Sequence, residues 1–177
     1  MDCIDSINIQ LKNKFKLKDL GDLKFFLGIE LSKSKIGIFI CQCHYVLSLH
    51  EDCGMLACKP FVVHMLPNLH LHNNSGTPIA DPATYRHLIG RLLYLTISRP
   101  DISYTVHKLS LFVSKPFTEH MAAANILLRY LKHTVGQGIL FKSASDCNIH
   151  AYVDADWGSC MDTRRSTIGF CIFLGNL

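Results

Sequence analysis

Apolar residues change their spacing several times along the chain, and each change marks an element. Ile4, Ile7, Leu11 and Phe15 recur at helical spacing, with lysines at 12, 14, 16 and 18 between and beyond them, which predicts an amphipathic helix with a basic flank. Gly21 follows its expected end. Phe25 to Leu31 then reads as one strand carrying a glycine, Gly28, in its middle; Ser32 to Lys35 is a polar turn, and Gly37 to Cys41 is the returning strand. A glycine inside a strand marks either a bulge or a place where another backbone or a ligand comes close.

His44 to Met55 is expected to be helical, ending near Gly54, and Lys59-Pro60 through Asp81-Pro82 reads as a long linker broken by Pro67, Asn73-Asn74-Ser75-Gly76 and Pro78. Asp81 as N-cap and Pro82 in the first turn open a helix with Tyr85, Leu88, Ile89, Leu92 and Leu95 on one face. Arg99-Pro100 restarts a helix with Ile102, Val106, Leu109 and Val113 on one side, and Pro116 stops it. Thr118 is the expected cap of a third helix through Met121, Ala124, Leu128 and Leu131, with Arg129, Lys132 and His133 placed to suit the macrodipole. After Gly136 and Gly138 the period falls to two. Ile139 to Lys142, then Ile149, Ala151 and Val153 on one face, then Thr167 to Leu174 predict a β meander. The expected class is α+β (mixed α/β).

Hydrophobic residues make up 49% of 177 and charged ones 18%, which describes a chain with a core and excludes a disordered tail. Asp2 and Asp5 interrupt the stretch where a signal peptide needs an apolar run, and Ile168 to Leu174 is far shorter than the roughly 20 residues that cross a bilayer. An intracellular chain without a membrane partner is therefore expected, and its eight cysteines are expected to be free thiols. The net charge of +4 permits nucleic acid as a partner without requiring it.

The sharpest candidate chemistry lies in Tyr152-Val153-Asp154-Ala155-Asp156-Trp157. Asp154 and Asp156 stand two apart in a predicted strand and so share a face, where carboxylates can hold Mg²⁺; the plainer alternative is a solvated strand end. Cys41-Gln42-Cys43-His44, with Cys53 and Cys58 beyond, invites zinc, but no second close pair completes a four-ligand set, so ordinary core cysteines are expected. His64, His70 and His72 lie in the linker and are expected to be exposed. The chain has no Gly-rich phosphate loop, no G-x-S-x-G and no H-E-x-x-H, and no small-molecule substrate is expected. Lysines between 12 and 24, Arg86 and Arg91, and Arg164-Arg165 form dispersed basic groups suited to phosphate-backbone contact, or to solvated faces.

Several motifs taken in order resemble the polyprotein of Ty1/copia-type retrotransposons. They are Phe15-Lys16-Leu17-Lys18-Asp19-Leu20-Gly21, Phe26-Leu27-Gly28-Ile29-Glu30, Tyr85-Arg86-His87-Leu88-Ile89-Gly90-Arg91-Leu92-Leu93-Tyr94-Leu95, Arg99-Pro100-Asp101-Ile102, Arg129-Tyr130-Leu131-Lys132, and Tyr152 to Trp157 with Arg164-Arg165-Ser166-Thr167. The resemblance covers nearly the whole chain and points to the end of the reverse transcriptase and the start of its ribonuclease H domain. It implies a palm remnant with a primer-grip-like hairpin over 1–60, a linker over 61–81, a helical thumb or connection over 82–135, and the opening of a ribonuclease H-like meander over 136–177. Leu27 and Gly28 would then contact nucleic acid, with an RNA/DNA or DNA template–primer duplex as partner. Asp154 would be the first catalytic, Mg²⁺-binding carboxylate of a two-metal phosphodiester cleavage. Asp156 is a motif residue to which the resemblance gives no secure role. The chain contains no Tyr-x-Asp-Asp motif and matches only the first ribonuclease H carboxylate. The expected function is therefore a fragment of an RNA-directed DNA polymerase and ribonuclease H that is inactive alone; the alternatives are a non-catalytic nucleic-acid-binding module and a relic without function.

Overall fold

Burial follows helical periodicity most closely between residues 82 and 133. The computed structural model describes every residue except 1, 19, 20, 68, 70, 74, 75, 144–147, 159, 161, 176 and 177, with backbone only for 2–5. Asp19 and Leu20 of the first motif, His70, Asn74 and Ser75 of the turn-rich segment thus lie outside the described residues. The chain runs as α1 (Asp2–Lys14), β1 (Phe25–Phe26), β2 (Ile29–Lys33), β3 (Gly37–Cys41), α2 (Cys43–Asp52), α3 (Pro82–Leu95), a 3₁₀ turn (Pro100–Ile102), α4 (Ser103–Ser110), α5 (Thr118–His133), β4 (Gly138–Lys142), β5 (Ile149–Asp156) and β6 (Thr167–Leu174). The class is mixed, with five α-helices and two antiparallel sheets among the described residues.

α3 starts as its sequence dictates: Ala83 N–H donates to Asp81 Oδ1 at 3.0 Å and Thr84 Oγ1 donates to Asp81 Oδ2 at 2.6 Å. The bond from Thr84, then that from Ala83, holds the Asp81 carboxyl below its ordinary value. The apolar face of α3 packs on Val46 and Leu49 of α2, Ile102, Val106 and Leu109 around α4, and Ala124, Leu127, Leu128 and Leu131 of α5, all buried. Each fully buried Leu or Ile contributes about 1.5–3 kcal/mol, so this cluster is where stability concentrates.

Polar groups inside the helical unit tie its elements together. The buried His50 ring bridges α2 and α5, with Nδ1 2.7 Å from Val46 O and Nε2 2.8 Å from Leu128 O. Arg99, 2% exposed, donates from Nε and Nη2 to the two carboxylate oxygens of Asp101 at 2.9 and 2.7 Å, and from Nη1 to Thr134 O at 2.9 Å. Tyr130 Oη also donates to Asp101, at 3.0 Å. Burial opposes ionisation of Asp101, but the Arg99 hydrogen bonds and charge, with the Tyr130 bond, lower its pKa on balance. The Arg99-Pro100-Asp101-Ile102 motif is thus a clamp fastening the start of α4 to the end of α5.

The structure departs from sequence expectation in several places. Phe25 to Leu31 is not one strand; it folds at Leu27-Gly28 into β1 and β2, paired Phe25↔Glu30 and Phe26↔Ile29. The expected meander is divided. β4 pairs with β3, from Gly37↔Lys142 to Cys41↔Gly138, giving the order β1-β2-β3-β4, while β5 and β6 form a separate two-stranded ribbon. Two glycines permit the first pairing: a Cβ on Gly37 would stand 2.0 Å from Phe141 O and one on Gly138 2.0 Å from Ile40 O, closer than any side chain can sit.

Thr118 is not a cap. α5 is capped at Phe117, whose N–H donates to His120 Nδ1 at 3.0 Å, and the Thr118 hydroxyl instead accepts from Thr77 N at 3.2 Å. The 61–81 segment packs in part against the helical unit. Leu69, Leu71 and Ile79 pack on the helical core, and Arg129 donates to Lys59 O at 2.8 Å while stacking over Phe61. By contrast α1, with Ile7, Ile9 and Leu11 exposed, buries little of its apolar stripe among the described residues.

Candidate nucleic-acid interface

Leu27 and Gly28 both have positive φ, +50° and +81°, and sit between the paired residues Phe26 and Ile29. Two central residues with φ above zero define the type I′ hairpin turn, whose twist matches that of the flanking strands. Gly28 is therefore there for its backbone conformation. Space is not the constraint: an added Cβ would lie 3.8 Å from Tyr94 and 3.9 Å from Tyr45, ordinary contact distances. Leucine in this region carries a steric cost of about 1–2 kcal/mol, which the surroundings must offset.

That support comes from two tyrosines. Tyr94 Oη, near the end of α3, donates to Leu27 O, and its ring meets Tyr45 of α2 edge-on at 5.2 Å. Tyr45 in turn donates to Arg91 O at 3.2 Å. The turn is thus braced from behind by the helical unit, while Leu27 is 72% exposed and Phe25 and Phe26 flank it outward. Sequence reasoning named Leu27 and Gly28 but missed Tyr94, whose contact with them becomes visible only when the helix docks.

The second candidate surface is a groove of about 700 Å³ between the ribbon and the helices. Asp154 and Asp156 line it from β5 together with Thr167 to Phe170 of β6, opposite Leu93, Thr96, Tyr104 and His107. Asp154 is paired with Gly169 and Asp156 with Thr167, and both carboxylates are exposed. Among the described residues, no third carboxylate, imidazole or thiol forms a ligand cluster with them. Two carboxylates do not make the donor set of a two-metal centre. The described residues by themselves therefore do not fit a pair of Mg²⁺ ions, and no cleavage step is assigned to them.

Comparison with known proteins supplies the frame. Residues 1–67 match the family described as reverse transcriptase (RNA-dependent DNA polymerase). The chain is 40% identical over 166 residues to the retrovirus-related Pol polyprotein from transposon RE1 of Arabidopsis thaliana, covering 94% of this chain and 11% of the polyprotein. It is 38% identical over 175 residues to an uncharacterized mitochondrial protein of the same plant, covering 97% of this chain and 71% of that one. The chain belongs to the Ty1/copia-type retrotransposon Pol polyprotein family. It also resembles a putative transposon Ty5-1 protein of Saccharomyces cerevisiae, 28% identical over 172 residues, covering 96% of this chain and 56% of that protein. No solved structure matches it.

Within this Pol segment the basic residues divide into two kinds. Arg86 donates to Val113 O at 2.8 Å and Ser114 O at 3.3 Å, and Arg91 pairs with Asp52 and donates to Ser48 Oγ at 3.2 Å. Both are engaged in holding helices together, which removes them from the expected phosphate-facing set. Lys14, Lys16, Lys18, Lys24, Arg164 and Arg165 are exposed. The histidines also depart from expectation. His64 is half-buried, with Nδ1 2.7 Å from Thr105 Oγ1, and the half-buried His72 offers its carbonyl to His120 Nε2 at 3.2 Å. No described helix is long and apolar enough to cross a membrane. The described cysteines are free thiols; Cys41 and Cys43, set aside as ligands on spacing, lie with their sulfurs 3.4 Å apart.

Proposed function

We propose that this Pol segment grips a template–primer duplex, RNA/DNA or DNA, as a non-catalytic part of a retrotransposon RNA-directed DNA polymerase and ribonuclease H. The observation that carries this reading is the Leu27-Gly28 turn. It is exposed, braced by Tyr94 and Tyr45, and offers a rigid backbone edge that a nucleotide strand can approach. The exposed lysines of the first 24 residues supply sequence-independent attraction to phosphate. On this reading 1–60 is the end of the palm, 61–81 a connecting segment, 82–135 the thumb or connection, and 136–177 the opening of the ribonuclease H domain. Asp154 corresponds to the first Mg²⁺-binding carboxylate of that domain. These 177 residues hold no Tyr-x-Asp-Asp, and among the described residues no third carboxylate joins Asp154 and Asp156, so on this reading the segment contributes grip and not chemistry.

The test is fluorescence anisotropy of the chain with a labelled RNA/DNA hybrid across a salt series. Affinity should fall steeply with salt, and Tyr94→Phe, which frees Leu27 O, should weaken binding several-fold with little change in melting temperature. Absent or salt-insensitive binding contradicts the reading. Mg²⁺-dependent cleavage of the hybrid that disappears in Asp154→Asn would overturn its non-catalytic part.

A further inference from the structure

The register of β2 against β3 places Glu30 directly opposite Cys41, so both side chains leave the same face of the sheet. The chain then turns through Gln42 into α2, which begins at Cys43 and brings the Cys43 sulfur within 3.4 Å of the Cys41 sulfur. One ligand atom from each of Glu30, Cys41 and Cys43 lies within 4.8 Å of the others. Cys41 is buried and the other two are half-buried, and Glu30 and Cys41 line a hollow shared with Phe25, Leu31 and Phe39. Lys24 also reaches this hollow, and His44 borders it.

We propose that Cys41, Cys43 and Glu30 form a binding site for a single Zn²⁺ ion that staples the β2–β3 hairpin to the start of α2. Two thiolates and a carboxylate suit zinc, which accepts sulfur at about 2.3 Å and oxygen at about 2.0–2.2 Å in tetrahedral geometry. Those bond lengths put ligand atoms closer together than about 4 Å, so the cluster needs only a small contraction. A water molecule would complete the four-coordinate set. Glu30 is oriented in advance: its Oε1 accepts from His44 N–H at 2.8 Å and lies 3.0 Å from His44 Nδ1. Such outer hydrogen bonds fix a metal-ligating carboxylate in place. Burial works against ionisation of Glu30, but the backbone and side-chain bonds from His44 lower its pKa on balance. Burial, then the Cys41 thiol, pushes Cys43 up to about 11, so without metal it is protonated at neutral pH. On binding, each sulfur forms a bond to zinc as its proton leaves to solvent, and nothing is oxidised or reduced.

The experiment titrates the intact, fully reduced chain with Co²⁺ as a spectroscopic probe, followed by Zn²⁺. One Co²⁺ per chain should give thiolate-to-metal charge transfer and the intense visible bands of a tetrahedral ion, both erased as Zn²⁺ displaces it. Cys43→Ser should lower affinity by more than about a hundredfold, while Cys53→Ser and Cys171→Ser leave it unchanged. Glu30→Gln, which preserves shape, should weaken zinc about tenfold or more and retain the charge-transfer band. In the wild-type chain Zn²⁺ should protect Cys41 and Cys43 from alkylation. Equal alkylation with and without Zn²⁺, or full-strength charge transfer in Cys43→Ser, overturns the proposal, as does undiminished zinc affinity in Glu30→Gln.

Discussion

The helical unit and the β5–β6 ribbon carry comparable apolar patterns and meet opposite fates. In the helical unit Leu92, Leu95, Leu109, Leu127, Leu128 and Leu131 are fully buried, because α2 to α5 supply one another's complementary faces. In the ribbon Val153 and Phe170 are each 75% exposed, and Trp157 just beyond β5 is 94% exposed, although the strands pair in register over their whole length. Backbone pairing satisfies the ribbon's inner hydrogen bonds but buries little side-chain area, and a two-stranded ribbon is marginal in water. The difference teaches where this Pol segment is self-sufficient. Its platform for the Leu27-Gly28 turn is built from its own residues, whereas its Asp154 strand presents apolar faces that the described residues do not cover.

Substitutions can break or sharpen that contrast. The largest effect is expected at Arg99: alanine strands the Asp101 carboxylate and Thr134 O and should cost about 3–5 kcal/mol in thermal or urea unfolding. Lysine should not restore stability, because it cannot make the two-pronged contact. Leu128→Ala should cost about 2–5 kcal/mol, whereas Phe170→Ala on the ribbon should stay within about 0.5 kcal/mol. Equal costs at these two positions would erase the distinction between the regions.

A smaller, pH-dependent effect is expected from His120. Its buried ring accepts the Phe117 N–H at Nδ1, stacks on Phe112 at 3.9 Å and is held below its ordinary pKa of 6.5, chiefly by burial. The unfolded chain gains a proton on this residue as pH falls below 6.5, while the folded chain takes one up only at lower pH. Its stabilising effect is therefore present above 6.5 and is lost progressively as pH falls towards the folded value. Unfolding free energies measured across this range should decline on acidification, and His120→Gln should flatten the profile. Asp101 acts in the same direction further down, with stability lost as pH falls below 3.8 through its lowered folded value.

What could be read from sequence follows the same division. α3 to α5 were legible because every turn of each helix meets the core, so Leu88, Leu92 and Leu95 recur at the spacing that burial demands. The Leu27-Gly28 turn escaped the pattern. Hairpin turns of this type are signalled by Asn-Gly or Asp-Gly, and leucine at positive φ gives no such signal. Partners distant in sequence were the least legible. Nothing in the alternation of Ile139 to Phe141 says that it pairs with Ile38 to Ile40 and not with the strand that follows. Glu30 joins Cys41 and Cys43 only through strand register, and Tyr94 reaches Leu27 only once α3 has docked.

If the helical unit of this Pol segment is a stable platform for the proposed nucleic-acid-gripping turn, and the ribbon is not stable on its own residues, the two regions will differ in backbone protection. Amide hydrogen exchange with and without an RNA/DNA hybrid tests both halves at once. Residues 85–131 should exchange slowly in either state, the hybrid should protect 25–33, and 149–156 with 167–174 should exchange rapidly throughout. A ribbon protected as strongly as the helices without nucleic acid, or a hybrid that leaves 25–33 unchanged, would contradict the account.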